Sequence, residues 1–529
     1  MKNYVKPLFS AVQRTIFAAL FVLLVFAQHG SAQSSQSWAV IGPDGGDVRS
    51  IAGVPGDSSH LYIGTTNSWI YESKDGGATW NRLSKIEPSD DLIIDRILVD
   101  AERKKTIYVG GWKLDGASGG LWISYDGGTK WNKVPAMEGQ SVRSLTQAAS
   151  DPARIYVGTL KGVYRSNDYG KNWAQISPAG SSEIHEVQSL AVDPKNPAIV
   201  YAGTWHLPWK TTDGGITWNS IKQGLIDDSD VFSIIIDPTN TDIVYTSACS
   251  GIYKSENGGQ LYKKIQGIPA TARRTRVLMQ DPIDHQTVYA GTTEGLYKTT
   301  DGGANFKLMT AADVIVNGIF VDPKDHNKVM LATDRSGVLV STDAGTTFTA
   351  SNTGFSQRKV EALLVSHSPV EGIFAGVAND KNYGGVFFSS DNGQHWSQLS
   401  SGLNDHDVFS LAQGPDGTIY AGTTHGIFSL SAAAATSNGV WKPSGLVKNT
   451  TSKSVVSIKN GKKTTRIVTT TLPPKNLEAK HKPESGRSNP SGVRIQQSGF
   501  WLRKSSVISR GFHEETGKRP MVLPVILEV

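Results

Sequence analysis

A single cysteine, Cys249, stands among 529 residues, so no disulfide can form within the chain and stability has to come from packing. Long apolar runs are equally scarce. The main one, Ile16 to Ala27, is too short for a comfortable membrane span. It follows Lys2, Lys6 and Arg14 and precedes Gly30-Ser31-Ala32, the build of a signal peptide covering residues 1–32. No cysteine sits at the cut, which argues against a lipoprotein, so the expectation is a secreted or periplasmic monomer with no stable membrane anchor. HExxH, CxxC and Walker phrases are all missing, which leaves metalloprotease, zinc-site and nucleotide-binding readings without support; no metal or cofactor is expected. A helical apolar period is absent too. What remains, with 55 glycines and 13 tryptophans, is the composition of a large all-β protein.

Aspartate is lacking from one region only. Residues 448–529 hold 16 Lys and Arg against five Glu and no Asp, so the net charge of +6 on the whole chain belongs to this tail, and residues 33–447 are net acidic. An acidic body argues against nucleic-acid binding. Within the tail, Val455 to Ile458 and Arg466 to Thr469 flank Asn460-Gly461 and predict a hairpin over 453–471; from about His481 to Arg519 the sequence is polar, basic and aperiodic and reads as disorder. An alternative is a slip of reading frame near Lys480, the tail then standing where further repeats belonged.

What the chain has in abundance is one phrase, Ser/Thr-x-Asp-x-Gly-x-x-aromatic, written eight times between Ser73 and Trp396. Its central residues are Asp75, Asp126, Asp168, Asp213, Asn257, Asp301, Asp343 and Asp391, at intervals of 51, 42, 45, 44, 44, 42 and 48. Around each phrase the same unit recurs. A first strand such as Val231 to Ile234 often ends in Asp-Pro (Asp193-Pro194, Asp237-Pro238, Asp281-Pro282, Asp322-Pro323), where proline lacks the ladder donor. A second strand reads Tyr-small-Gly-Thr, as in Val200 to Thr204, and a third is short, as in Gly251 to Ser255. The phrase then forms a hairpin turn whose carboxylate bonds nearby backbone N–H groups, and its aromatic residue opens the fourth strand.

Four-stranded units repeating every ~40–50 residues predict a β-propeller. The phrase resembles the Asp-box, or bacterial neuraminidase repeat, of sialidases, sortilin-type ectodomains, xyloglucanases and photosystem II assembly factors. First strands are expected near Val48, Leu92, Val142, Val187, Val231, Val277, Val316, Val360 and Val408, giving nine units, the ninth closing with Val440-Trp441. Nine exceeds the usual four to eight blades. Either one large ring forms, as in sortilin, or a seven-bladed ring is followed by an incomplete second one. Trp38 to Ile41 also reads as a fourth strand, as if the amino terminus completed the last blade.

The resemblance supports hydrolases and binding proteins alike, so the residues have to choose. The eight box residues solve one turn problem eight times and are expected to be structural. Asp227-Asp228-Ser229-Asp230 lacks the spacing of a calcium loop. Gly116-Ala117-Ser118-Gly119-Gly120 matches a serine-hydrolase pattern but falls in a loop between strands, not at a strand-to-helix elbow. Sialidases carry an arginine phrase where this chain has Val40-Ile41-Gly42-Pro43, and xyloglucanases carry a catalytic aspartate where it has Thr66. No catalytic residue is therefore assigned. The expected function is binding of a protein or glycan through the loop face, with a carbohydrate-active hydrolase of the sialidase or xyloglucanase type as the alternative. Candidate binding residues are Trp112, Trp205, His206 and Trp209, flat rings beside polar groups, with Arg273, Arg274 and Arg276 as a basic loop nearby.

Overall fold

The computed structural model describes residues 41–444, apart from short segments at 115–117, 227–229, 270, 273–274, 379–383, 405 and 438, together with the strands Asn449–Lys459 and Lys462–Leu472. The signal segment, Trp38 to Val40, Asp227 to Ser229, Arg273, Arg274 and everything from 473 onward lie outside the described residues.

Nine four-stranded antiparallel sheets follow one another, each with its strands in chain order. Blade 1 opens at Val48–Val54 and blades 2 to 9 at Leu92–Val99, Val142–Ala148, Ser189–Val192, Val231–Ile236, Val277–Gln280, Val316–Val321, Val360–Ser366 and Val408–Gln413. Three features of the repeat explain why neighbouring blades lock. Glycine in the second strand lets the next blade come close: a Cβ on Gly203 would stand 2.6 Å from Val231 Cγ1, the valine that opens the next first strand. The second-strand tyrosine donates its hydroxyl to the box turn of the following blade, Tyr201 to Gly258 O at 2.9 Å and Tyr245 to Gly302 O at 3.0 Å. The box tryptophan points back, Trp218 Nε1 to Ile176 O at 2.9 Å and Trp131 Nε1 to Ser84 Oγ at 2.8 Å. Side-chain hydrogen bonds of these two kinds thus tie neighbouring blades together over an apolar core.

The ring closes after seven blades. Val48, Leu61, Ile63, Tyr71 and Trp80 of blade 1 form one core with Met330, Ala332, Val338 and Phe355 of blade 7 and its exit. Trp80 Nε1 donates to Ser351 O at 2.9 Å, and its backbone N–H donates to Thr353 O at 2.8 Å. Gly45–Gly46 pairs in parallel with Ser356–Gln357 and latches the two ends of the ring together. The single nine-bladed ring is thereby excluded, and blades 8 and 9 begin a second array. That array is open: Ile427 is 52% exposed and Leu363 66%. The residues at the Ile427 register in blades 1, 2 and 3 (Ile70, Leu121 and Val163) are buried. Blade 9 has a fourth strand of its own, Lys442–Pro443, two residues beyond the expected Val440-Trp441, and of the amino-terminal segment expected there only Ile41 is described. Ile41 lies against blade 8, where its carbonyl oxygen accepts from Trp396 Nε1 at 2.6 Å, the bond that a preceding blade supplies elsewhere.

The box tryptophans of the first four blades differ in burial. Trp80 is buried, whereas Trp131, Trp173 and Trp218 are half-exposed, because only Trp80 is also covered by the segment that leaves blade 7. The strands Asn449–Lys459 and Lys462–Leu472 form a separate antiparallel hairpin, longer than the expected 453–471.

All eight boxes share one set of hydrogen bonds. In the fourth, Thr211 Oγ1 donates to Asp213 Oδ1 at 2.8 Å and accepts from Gly215 N at 2.8 Å, while Thr217 N donates to Asp213 Oδ1 at 2.9 Å. Donation from Thr299 and Asn305 to Asp301, and from His395 to Asp391, holds both carboxyls at about 2 against an ordinary 3.8. A folded-state pKa below the unfolded one contributes stability that is complete above the unfolded value and lost as pH falls through the folded value. The melting temperature should therefore be insensitive to this group of carboxylates down to about pH 4 and fall steeply below it. Thermal melts at stepped pH check this. Asp301→Asn should lower the midpoint only slightly and flatten that acid slope, since Asn257 already fills the same role in blade 5, accepting from Leu261 N at 2.9 Å.

Candidate binding site at the channel mouth

The first strands of the seven blades line the channel, and five of them carry an irregularity at the same place. In blade 1, Val48 pairs with Thr65 and Ser50 with Gly64, so Arg49 is an extra residue without a partner across the ladder. Asp95, Arg143, Phe232 and Asn317 are the extra residues in blades 2, 3, 5 and 7. Gln188 and Arg276 occupy the same place in blades 4 and 6, immediately before the first laddered pair. A β-bulge re-aims its side chain, and here it brings residues of different blades together. Arg49 Nε donates to Asp95 Oδ1 at 2.8 Å and Arg49 Nη1 to Asn317 Oδ1 at 3.2 Å; Arg276 Nη1 donates to the same oxygen at 2.5 Å. Asn317 in turn donates to Asp334 Oδ1 and to Val48 O. The mouth is on the side of the second-to-third-strand turns and of the connections between blades.

Its electrostatics are dominated by cations. Burial alone would raise the Asp95 carboxyl, but Arg49, Arg96 and Arg143 overcome it and hold the group well below the usual carboxylate range. Burial disfavours the Arg49 charge as well; Asp95 and Asp334 more than restore it. Arg143 is lowered from its ordinary value by burial. Asp95 is therefore a fixed anion inside an arginine cluster and not a group poised to give up a proton.

The expected residues divide between two places. Trp112 belongs to the mouth: blade 2 extends its first two strands past the bulge, pairing Ile93 with Trp112, and the Arg143 guanidinium lies 4.0 Å over the Trp112 ring. Arg276 of the basic loop reaches the mouth as well. Trp205 and His206 sit in the blade 4 turn, 5.2 Å apart between ring centroids, with His185 of the preceding connection at 5.2 Å on Trp205. Trp209 is separate from them. It pairs with Ala202 in the third strand, the register held by Tyr71, Trp122, Tyr164, Tyr253 and Tyr297 in other ring blades, and is the packing aromatic of the repeat. Ser118 lies in the turn between the second and third strands of blade 2, and Thr66 in that of blade 1. Among the described residues no group of three His, Cys, Asp or Glu side chains could hold a metal, and no helix is long and apolar enough to cross a membrane.

Comparison with known proteins agrees with this architecture. Residues 294–454 match the sortilin/Vps10 family model, described as sortilin, neurotensin receptor 3. The solved GH74 xyloglucanase of Xanthomonas campestris superposes with a TM-score of 0.55 at 15% identity, covering 78% of this chain and 75% of that one. The chain is a β-propeller. Among curated relatives, this propeller is 25% identical over 175 residues to a xyloglucanase of Hypocrea jecorina, covering 27% of the chain and 21% of the relative. It is 31% identical over 123 residues to the photosystem II assembly lipoprotein Ycf48 of a Synechococcus species, covering 22% and 33%. The chain thus spans at most about a third of the length of either relative.

The sequence reading overlooked Arg49, Asp95, Arg143 and Asn317. Their signal was positional: each follows an apolar residue in the first half of a first strand, Val48, Ile94, Val142 and Val316.

Proposed function

We propose that this protein is an exported binding scaffold whose channel mouth receives an acidic segment of a partner protein. One observation carries the reading: two of the five bulge positions, Arg49 and Arg143, are arginine, Arg276 joins them from blade 6 through Asn317, and the carboxylate among them, Asp95, is held ionised. Such a mouth offers fixed charge-assisted donors, suited to carboxylates. The test is fluorescence anisotropy with a labelled glutamate-rich peptide. Binding should weaken with salt, and Arg143→Gln with Arg276→Gln should weaken it at least tenfold when measured at a temperature where the variant is fully folded. Full affinity in that double variant would sink the reading.

The xyloglucanase relatives favour a second reading, a glycoside hydrolase. Such chemistry uses two placed carboxyl groups, one of them able to donate a proton. Asp95 is a poor donor for the reason above, and Thr66 supplies no carboxyl. Release of reducing ends from xyloglucan by the purified chain would support the hydrolase over the scaffold.

A further inference from the structure

On the same side as the mouth, blade 3 and the connection that leads to blade 4 form a groove of about 430 Å³ lined by Leu160, Lys161, Gln175, Ser181, Ser182 and His185. We infer that this groove, with Trp205 at its edge, is a separate site for a saccharide bearing a carboxylate. The volume falls within the usual range of small-ligand sites.

The walls are built and held. Ser181 Oγ accepts from Glu183 N at 3.1 Å and Ile184 N at 3.0 Å, fixing the turn that presents Ser182 and His185. Gln175 Nε2 donates to Lys161 O at 3.2 Å and orients the amide against the opposite turn. Gly180, at φ +69°, has nothing within 4 Å of where a Cβ would stand, so the floor is open there. The aromatic edge is held just as firmly. Leu207 is buried at φ +66°, a conformation that a leucine keeps only when its surroundings impose it. Thr204 Oγ1 accepts from His206 N at 3.2 Å and donates to Leu207 O at 2.8 Å. These contacts set Trp205 out at 36% exposure, its ring tilted 33° to His185 and 38° to His206.

The inventory of groups selects the ligand. A pyranose has an apolar face that suits His185 and Trp205, and hydroxyls that suit Ser182 and the Gln175 amide. Lys161 is the cation of the lining and pairs with a sugar carboxylate. Peptide side chains would find one apolar residue, Leu160, and little else to bury.

Titration of the full chain with trigalacturonic acid, followed by tryptophan fluorescence and calorimetry, tests the site against the uncharged cellotriose. Saturable binding of the acidic trisaccharide is expected, with cellotriose at least tenfold weaker. Lys161→Gln, an exposed change that leaves no cavity, should weaken the acidic ligand at least tenfold and bring the two sugars level. Trp205→Ala should weaken both. The Arg143→Gln, Arg276→Gln double variant should bind trigalacturonic acid as the parent does, which separates this site from the mouth. Absence of saturable binding, or parental affinity in the Lys161 variant, overturns the inference. Loss of binding in the arginine double variant overturns it as well.

Discussion

Replacing Trp80 by alanine should cost about 3–5 kcal/mol, the range for truncating a fully buried aromatic residue, and more than the same change at any other box tryptophan of the ring. Trp80 is 2% exposed, packs within the core shared by blades 1 and 7, and spans that joint through its Nε1 bond to Ser351 O. Trp173 is half-exposed and donates to Gly170 O of its own turn at 2.9 Å, so Trp173→Ala should lose far less. Trp80→Phe keeps most of the ring volume and removes the N–H, and should lose about 1–2 kcal/mol. Chemical denaturation of the three variants gives the ranking. A Trp80 loss no larger than that of Trp173 would mean that the joint between blades 7 and 1 does not carry the closure of the ring.

Removing the carboxylate at Asp95 should be as damaging for a different reason. Asp95 is 5% exposed and is approached by Arg49, Arg96 and Arg143. Breaking one side of a buried ion pair strands the other charge and typically costs about 3–5 kcal/mol. Asp95→Ala should therefore unfold at clearly lower denaturant, and Asp95→Asn should recover part of the loss by still accepting from Arg49. Because the folded carboxyl is depressed, its stabilisation is complete above the ordinary aspartate range and is lost only as pH falls well below it. The destabilisation of Asp95→Ala relative to the parent should be constant through neutral pH and shrink only in strong acid. Stability curves for parent and variant at several pH values provide the check; a difference that vanished near pH 6 would place the shift in the wrong direction.

Much of this architecture is legible in the chain. The box phrase fixes the turn, the Tyr-small-Gly-Thr phrase fixes the second strand, and the first strands begin at or within two residues of the predicted valines and leucine. Those signals are local and recur, so each copy supports the next. The closure after seven blades is not local. It depends on how each wedge is rotated against its neighbour, which no short phrase encodes, and so seven and nine could not be separated before Trp80 was seen against Ser351. The mouth was hidden for another reason. Arg49, Asp95, Arg143, Gln188, Phe232, Arg276 and Asn317 share a register and no residue type, and the register exists only once the bulge has been paired. Alignment of the third strands already sets Trp209 at the register of Tyr71 and Tyr253, apart from Trp205 and His206.

The parallel pair that joins Gly45–Gly46 to Ser356–Gln357 has a consequence in lattice terms. A row of repeats held by nearest-neighbour contacts frays from its ends, where a unit has one neighbour and a single interface separates it from solvent. The latch makes the first seven blades a cycle without ends, so no blade can leave without breaking two interfaces at once. Closing so long a segment adds little entropy cost over closing a shorter one, since that cost grows only with the logarithm of length. Blades 8 and 9 remain a row with a free end at the face bearing Ile427. Amide hydrogen exchange should accordingly show two regimes within one continuous stretch of repeats: uniform, highly cooperative protection from Val48 to Ala350, and protection that declines strand by strand toward Lys442–Pro443.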